Sequence, residues 1–197
     1  MPFAILRIAK VKDFEQLRRL GAHEHRRQPT LNADPARSTE ALIGSGDLVA
    51  DVGRRIAGAG LDPSRLRRNG TLAVEVLLTA SPEFFRPGRK AEAGEWEGKR
   101  VAAWRAAAVN FLGAEWGANL VAAGLHLDEA TPHIWAVMVP VDDTPRRRGT
   151  SVRLNASRWF DGAAKLARLQ DAYAAAMAPF GLARGVRGSP ATPRDLR

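Results

Sequence analysis

The chain contains no cysteine, which excludes a disulfide framework and leaves no thiolate for metal binding or nucleophilic attack. Any metal it binds is held by nitrogen and oxygen. Its single tyrosine, Tyr173, falls in a helical repeat with Leu166, Leu169 and Met177 and reads as core, which disfavours a tyrosine nucleophile. Lysine is scarce: apart from Lys10, Lys12, Lys90, Lys99 and Lys165, the 30 cationic side chains are arginine. No apolar run approaches the ~20 residues needed to cross a bilayer. The first residues, Met1 to Arg7, lack a signal-peptide pattern, so a soluble cytoplasmic protein is expected. There is no internal repeat, P-loop or GxGxxG motif.

Charge is the first positive signal. Thirty Lys+Arg stand against 21 Asp+Glu, a net +9. A GC-rich genome explains part of the preference for arginine over lysine, but it does not explain the net excess. Arginine grips phosphate bidentately, so a polyanion is the expected partner, nucleic acid above all. At 197 residues, 45% hydrophobic and 26% charged, the composition suits one globular domain with a real core.

The pattern of elements predicts an α+β fold, an antiparallel sheet with flanking helices. Residues 3–11 alternate as a strand, with Phe3, Ile5 and Arg7 on one face and Ala4, Leu6 and Ile8 on the other. Asp13 caps a short helix, 14–20, ending at Gly21. Residues 22–40 read as a polar loop with two proline breaks, and helical patterns follow at about 38–44 and 47–60. Residues 71–79 form a central strand; Ser81 and Pro82 start a helical turn, and 86–95 form a charged loop. A long helix over 96–117 offers Trp104, Val109, Phe111, Leu112 and Trp116 to the core. A basic loop covers 142–150, a turn or helix starts at 155–159, and a strong helix over 163–180 ends at Gly181. Residues 182–197 read as a flexible Arg/Pro-rich tail, ordered only in part.

The octapeptide His126-Leu127-Asp128-Glu129-Ala130-Thr131-Pro132-His133 lies between two apolar runs. Apolar strand, short polar turn with proline, apolar strand is a β-hairpin signature. Such a hairpin places His126 across from His133, which shares a face with Trp135. Two imidazoles with Glu129 or Asp128 make an N/O site for Mg²⁺, Mn²⁺ or Zn²⁺. The alternative is two surface histidines on an ordinary turn. The only other histidines, His23 and His25, lie in His23-Glu24-His25-Arg26. If the fold brings this stretch over the hairpin, a neutral imidazole becomes available as nucleophile or base at phosphorus, with Arg26 bracing the phosphate.

The run His126-x-Asp128-Glu129-x-Thr131-Pro132-His133, followed by Val139-Pro140, resembles the metal motif of MobV-type relaxases, the Mob/Pre plasmid mobilisation and recombination proteins of the HUH nuclease group. His23-x-x-Arg26 with Asn32-Ala33-Asp34-Pro35 resembles that family's N-terminal motif, and Leu154-Asn155-Ala156, Phe160-Asp161-Gly162 and Arg184-Gly185-x-x-Gly188-Ser189 its downstream segments. The resemblance spans nearly the whole chain. It implies a single relaxase domain, 1–197, that nicks one DNA strand at a plasmid origin of transfer and stays covalently linked to the 5′ phosphate. It implies His23 as nucleophile, His126, His133 and Glu129 as ligands of Mn²⁺ or Mg²⁺, and Arg26 and Glu129 among the catalytic residues. Single-stranded or hairpin origin DNA is expected against Arg26, Arg27, Asn32, Trp135, Arg146, Arg147, Arg148 and Arg153. The family pattern carries a third histidine where this chain has Trp135, so Glu129, Asp128, His25 or water must complete the metal shell. Two roles fit Trp135: stacking on a base, or packing against the sheet. The rival readings are a rolling-circle replication initiator and a DNA-binding module without metal or catalysis. Nothing in the sequence sets the oligomeric state.

Overall fold

A computed structural model describes residues 1–65, 70–145 and 152–185. Its centre is one six-stranded sheet, in the order β2 (Thr39–Ile43), β4 (Leu120–His126), β5 (His133–Met138), β3 (Ala73–Ala80), β1 (Phe3–Val11), β8 (Ala183–Arg184). Neighbours are antiparallel except β1 and β8, which run parallel. A separate two-stranded ribbon pairs β6 (Val141–Asp142) with β7 (Arg153–Leu154). The expected α+β architecture is the observed one.

Strand alternation gives the sheet two apolar faces, and each is covered by a different helix pair. Leu6, Val74, Val76, Leu78, Ile134, Ala136 and Met138 face α4 (Gly98–Trp116) and α6 (Ala163–Met177), which bring Trp104, Leu112, Leu169 and Tyr173. Trp135, Val137, Ala122 and Val11 face α1 (Phe14–Glu24) and α2 (Leu48–Gly58), which bring Leu17, Leu48, Val52 and Ile56. Tyr173 is buried, accepts a hydrogen bond from Trp104 Nε1 at 3.0 Å and donates to the Thr79 carbonyl at 3.2 Å. Burial pushes its phenol pKa upward, as suits a structural tyrosine.

Three local readings change. Residues 39–43 form an edge strand rather than a helix, because pairing with β4 overrides the helical preference of Glu40, Ala41 and Leu42. The first helix runs past Gly21 to Glu24; Gly21 packs against Leu48, so a longer side chain there would crowd α2. Ser81 occupies the N-cap of the short α3 (Pro82–Phe85) as expected, while its hydroxyl oxygen accepts the Phe3 amide (2.9 Å) rather than an amide of the helix. The start of the expected tail is docked: Leu182 is buried and Ala183–Arg184 add a strand beside β1. Gly181, at φ 75, makes the left-handed turn that frees the chain from its helix to reach that position. Residues from 186 onward, and Arg146, Arg147 and Arg148, lie outside the described residues. Among the described residues no helix is long and apolar enough to cross a membrane.

Candidate metal and nucleophile site

His126 ends β4 and His133 begins β5, and the register places them directly opposite each other. Across the turn His126 Nδ1 and His133 Nε2 are 3.1 Å apart, with the rings edge-on. The remaining ring nitrogens meet backbone carbonyls, which can only accept: His126 Nε2 donates to the Glu24 carbonyl (2.9 Å) and His133 Nδ1 to the Thr131 carbonyl (3.1 Å). Both imidazoles are therefore held in tautomers that turn lone pairs toward one point. Arg26 Nη2 lies 3.0 Å from His126 Nδ1, and carbonyl-tethered histidines are the usual outer arrangement of a metal site. Glu129 supplies the third donor; one ligand atom from each of His126, Glu129 and His133 lies within 4.8 Å of the others. This N₂O set fits a divalent metal.

Asp128 and His25, the other expected candidates for the third ligand, are placed elsewhere. Asp128 is 4% exposed and accepts both Nε (2.7 Å) and Nη2 (2.9 Å) of Arg26. His25 caps α1 and sets its ring edge-on to Trp135, centroids 5.3 Å apart. Trp135 is 3% exposed and covers Gly124, its cross-strand partner, so closely that a Cβ there would lie 2.6 Å from the indole. The base-stacking role expected for Trp135 is thus corrected: no free ring face remains, and packing decides its place.

Arg26 also departs from expectation. It does not reach outward for phosphate. Its Nη2 contacts Glu129 Oε1 (2.7 Å) and His126 Nδ1 (3.0 Å), and its Nη1 donates to the His23 carbonyl (3.3 Å). Its φ of 53, left-handed for a non-glycine residue, turns the side chain back under its own helix. Asn32 donates to the second Glu129 oxygen at 3.0 Å. Arg27 bonds the Gly46 carbonyl, and one nitrogen of Arg153 pairs with the buried Asp142 carboxylate.

His23 projects from the last turn of α1, 42% exposed at its side chain, with Nε2 3.9 Å from Glu24 Oε1. Partial burial, and then the Arg26 charge, hold its pKa below the ordinary value, so it is neutral near pH 7. His126 is pushed down to about 3 by burial and by His133, as suits a neutral ligand. Glu24 was not anticipated. It is buried, its Oε2 lies 3.6 Å from His126 Nε2 without a hydrogen-bond partner, and burial together with Glu75 raises its pKa to about 8. The sequence offered no sign of this beyond an acid between two histidines. Arg26 thus links the end of α1, where the partly exposed His23 lies, to the His126–Glu129–His133 cluster.

Against known proteins, the family model described as plasmid recombination enzyme, Mob/Pre, matches residues 1–196. The chain belongs to the Mob/Pre family. A curated relative, a "65 kDa protein" of Zymomonas mobilis subsp. mobilis, is 39% identical over 195 residues, covering 96% of this chain. The chain spans 31% of that relative's length. Among solved structures, the Mn-bound MobM relaxase domain (MOBV) on pMV158 oriT DNA superposes with a TM-score of 0.75 at 21% identity, covering 96% of this chain and 94% of that one. A second MobM complex, with 26-nucleotide oriT DNA, gives 0.67 at 21% identity, covering 96% and 95%. This Mob/Pre chain therefore has the relaxase-domain fold, and its N-terminal and hairpin motifs meet at one end of the sheet.

Proposed function

We propose that this Mob/Pre chain is a relaxase domain that nicks and rejoins one strand at a plasmid origin of transfer, acting in the cytoplasm on single-stranded or hairpin DNA. The observation that carries the proposal is the His126–Glu129–His133 donor set, with the partly exposed His23 at the end of the helix that Arg26 ties to it. The family and the fold support it, as does the MobM domain's recorded complex with oriT DNA and Mn.

In this reading a lone pair on the His23 ring attacks the scissile phosphorus in line. An N–P bond forms, the P–O3′ bond breaks, and the 3′ oxygen leaves and takes up a proton. The 5′ phosphate stays on His23 as a phosphoramidate, and attack by a 3′ hydroxyl reverses the sequence. A divalent cation, Mn²⁺ or Mg²⁺, held by His126 Nδ1, His133 Nε2 and Glu129 would polarise the non-bridging phosphate oxygens, chemistry worth several kcal/mol. Arg26 keeps Glu129 in place, and after partial burial its charge is the second cause that lowers the His23 pKa. Asn32 steadies the other Glu129 oxygen. Arg27 and Arg153 add positive charge for the DNA, and Arg146, Arg147 and Arg148 add to the net positive charge of the sequence.

The test is nicking of supercoiled plasmid carrying the cognate origin, with Mn²⁺, with Mg²⁺ and with EDTA. Nicking and a denaturant-resistant protein–DNA adduct are expected with metal and lost in His23→Ala. Full nicking by His23→Ala would rule out this nucleophile, and origin binding without nicking in any metal would favour the non-catalytic module.

A further inference from the structure

The loop between α3 and α4 is closed at its base by a hydrogen bond from the Glu97 amide to the Phe85 carbonyl, 2.7 Å. The chain in this loop winds around one side chain, Arg86, which is only 3% exposed. Buried guanidinium groups usually face carboxylates. Arg86 faces main-chain carbonyls instead: its Nε donates to Lys90 (3.1 Å), and its Nη1 to Glu95 (3.4 Å) and to Ala130 (2.8 Å). Burial lowers its pKa, as expected for a cation whose partners are dipoles.

The third carbonyl is the informative one, because Ala130 follows Glu129 in the turn that joins His126 to His133. The Ala130 oxygen also accepts the Gly94 amide at 3.0 Å, so one loop grips it twice. On the other side of Glu129, the Asp128 carbonyl accepts the Asp34 amide at 2.6 Å. Farther on, Thr79 Oγ1 holds the Pro132 carbonyl at 2.7 Å. A turn between two metal ligands is thus pinned at the residue before Glu129 and the residue after it. Arg86 is the only charged side chain among these donors.

We propose that Arg86 is a positioning residue for the metal site: it fixes the Ala130 peptide and thereby holds Glu129 in reach of His126 and His133. The proposal rests on the reading of those three side chains as metal ligands. Residues that orient metal ligands without touching the metal commonly cost about 10- to 100-fold in affinity when removed.

The test compares the wild type with Arg86→Met, Arg86→Lys and Leu112→Ala. The last truncates a fully buried side chain of α4 away from the turn. Stability is measured in EDTA by urea unfolding, and Mn²⁺ affinity by calorimetric titration, with the Mn²⁺ paramagnetic resonance spectrum as a report on ligand symmetry. Arg86→Met is expected to weaken Mn²⁺ binding by about 10- to 100-fold and to alter the spectrum. Arg86→Lys, which keeps the charge with fewer directed donors, should recover part of the loss. Leu112→Ala should lose stability and keep the wild-type Mn²⁺ affinity. An Arg86→Met protein with wild-type affinity overturns the proposal, as does a loss no greater than that of Leu112→Ala. If Arg86→Met does not fold, Arg86→Lys carries the same criterion. A wild type that binds no Mn²⁺ would instead sink the metal-site reading, and this inference with it.

Discussion

His126 and His133 stand directly opposite each other at the end of the central hairpin, their facing nitrogens 3.1 Å apart and their outer nitrogens tied to the carbonyls of Glu24 and Thr131. A cation bound between them stabilises the folded state by mass action, about 2.7 kcal/mol at a hundredfold excess over Kd. Mn²⁺ is therefore expected to raise the melting temperature of the wild type. The shift should vanish in His126→Ala/His133→Ala and shrink strongly in Glu129→Ala. Thermal melts with and without EDTA check this.

Arg26 is the counter-charge of two carboxylates, one of them almost fully buried. Removing one member of such a cluster leaves the others uncompensated, at a cost of about 3–5 kcal/mol. Arg26→Ala is expected to lose stability of that order in urea unfolding. Asp128→Asn/Arg26→Ala should lose less than the sum of the single changes, because the buried charge is then gone as well.

Trp135 and Gly124 are a matched pair. Gly124→Ala drives a methyl group into the indole and is expected to cost about 1–3 kcal/mol. Trp135→Ala opens a large cavity and should cost about 3–5 kcal/mol. In the double variant the alanine methyl occupies part of the vacated space, so the two costs should not add. Additive values in a double-mutant cycle would contradict this packing.

Two buried groups near the site give the metal-free protein opposing pH slopes. Glu24, raised to about 8, binds a proton in the folded chain that the unfolded chain, at 4.5, releases. Its contribution is complete below pH 4.5 and is lost as pH rises through about 8. His126, lowered to about 3, refuses a proton that the unfolded chain takes near 6.5, so stability falls as pH drops from 6.5 toward 3. Between pH 4.5 and 6.5 the slopes oppose each other and a plateau is expected, with declines of up to ~1.4 kcal/mol per pH unit on either side. Glu24→Gln should flatten the alkaline decline. Urea midpoints across pH 3 to 8.5 in EDTA measure both limbs.

Much of the sheet was legible in one dimension, because alternation along a strand and capping of a helix are local physics. Strand β1 and the central strand β3 fall within two residues of the expected ranges, and the hairpin of β4 and β5 brackets the octapeptide as expected. The edge strand β2 was misread for a reason of the same kind: its residues prefer a helix locally, and only the open edge of β4 makes them a strand. At the site, the two histidines and Glu129 were visible from spacing within one turn. Glu24, Asp128 as the partner of Arg26, and Arg86 were not, since burial and contacts across about 40 to 100 positions leave no periodic trace.

From the sequence alone came the chemistry on offer: nitrogen and oxygen donors without sulfur, an excess of arginine, four histidines in two clusters, and a family motif around them. The tertiary structure decided how those groups are deployed. It turned Arg26 inward onto carboxylates, gave Trp135 to the core because Gly124 leaves it room, brought Glu129 rather than Asp128 or His25 into a cluster with the two hairpin histidines, and wrapped a loop around Arg86, which bonds the Ala130 carbonyl. Each of these outcomes depends on which groups lose water and which meet a partner. That is settled only when α1, the hairpin and the two loops close on one another.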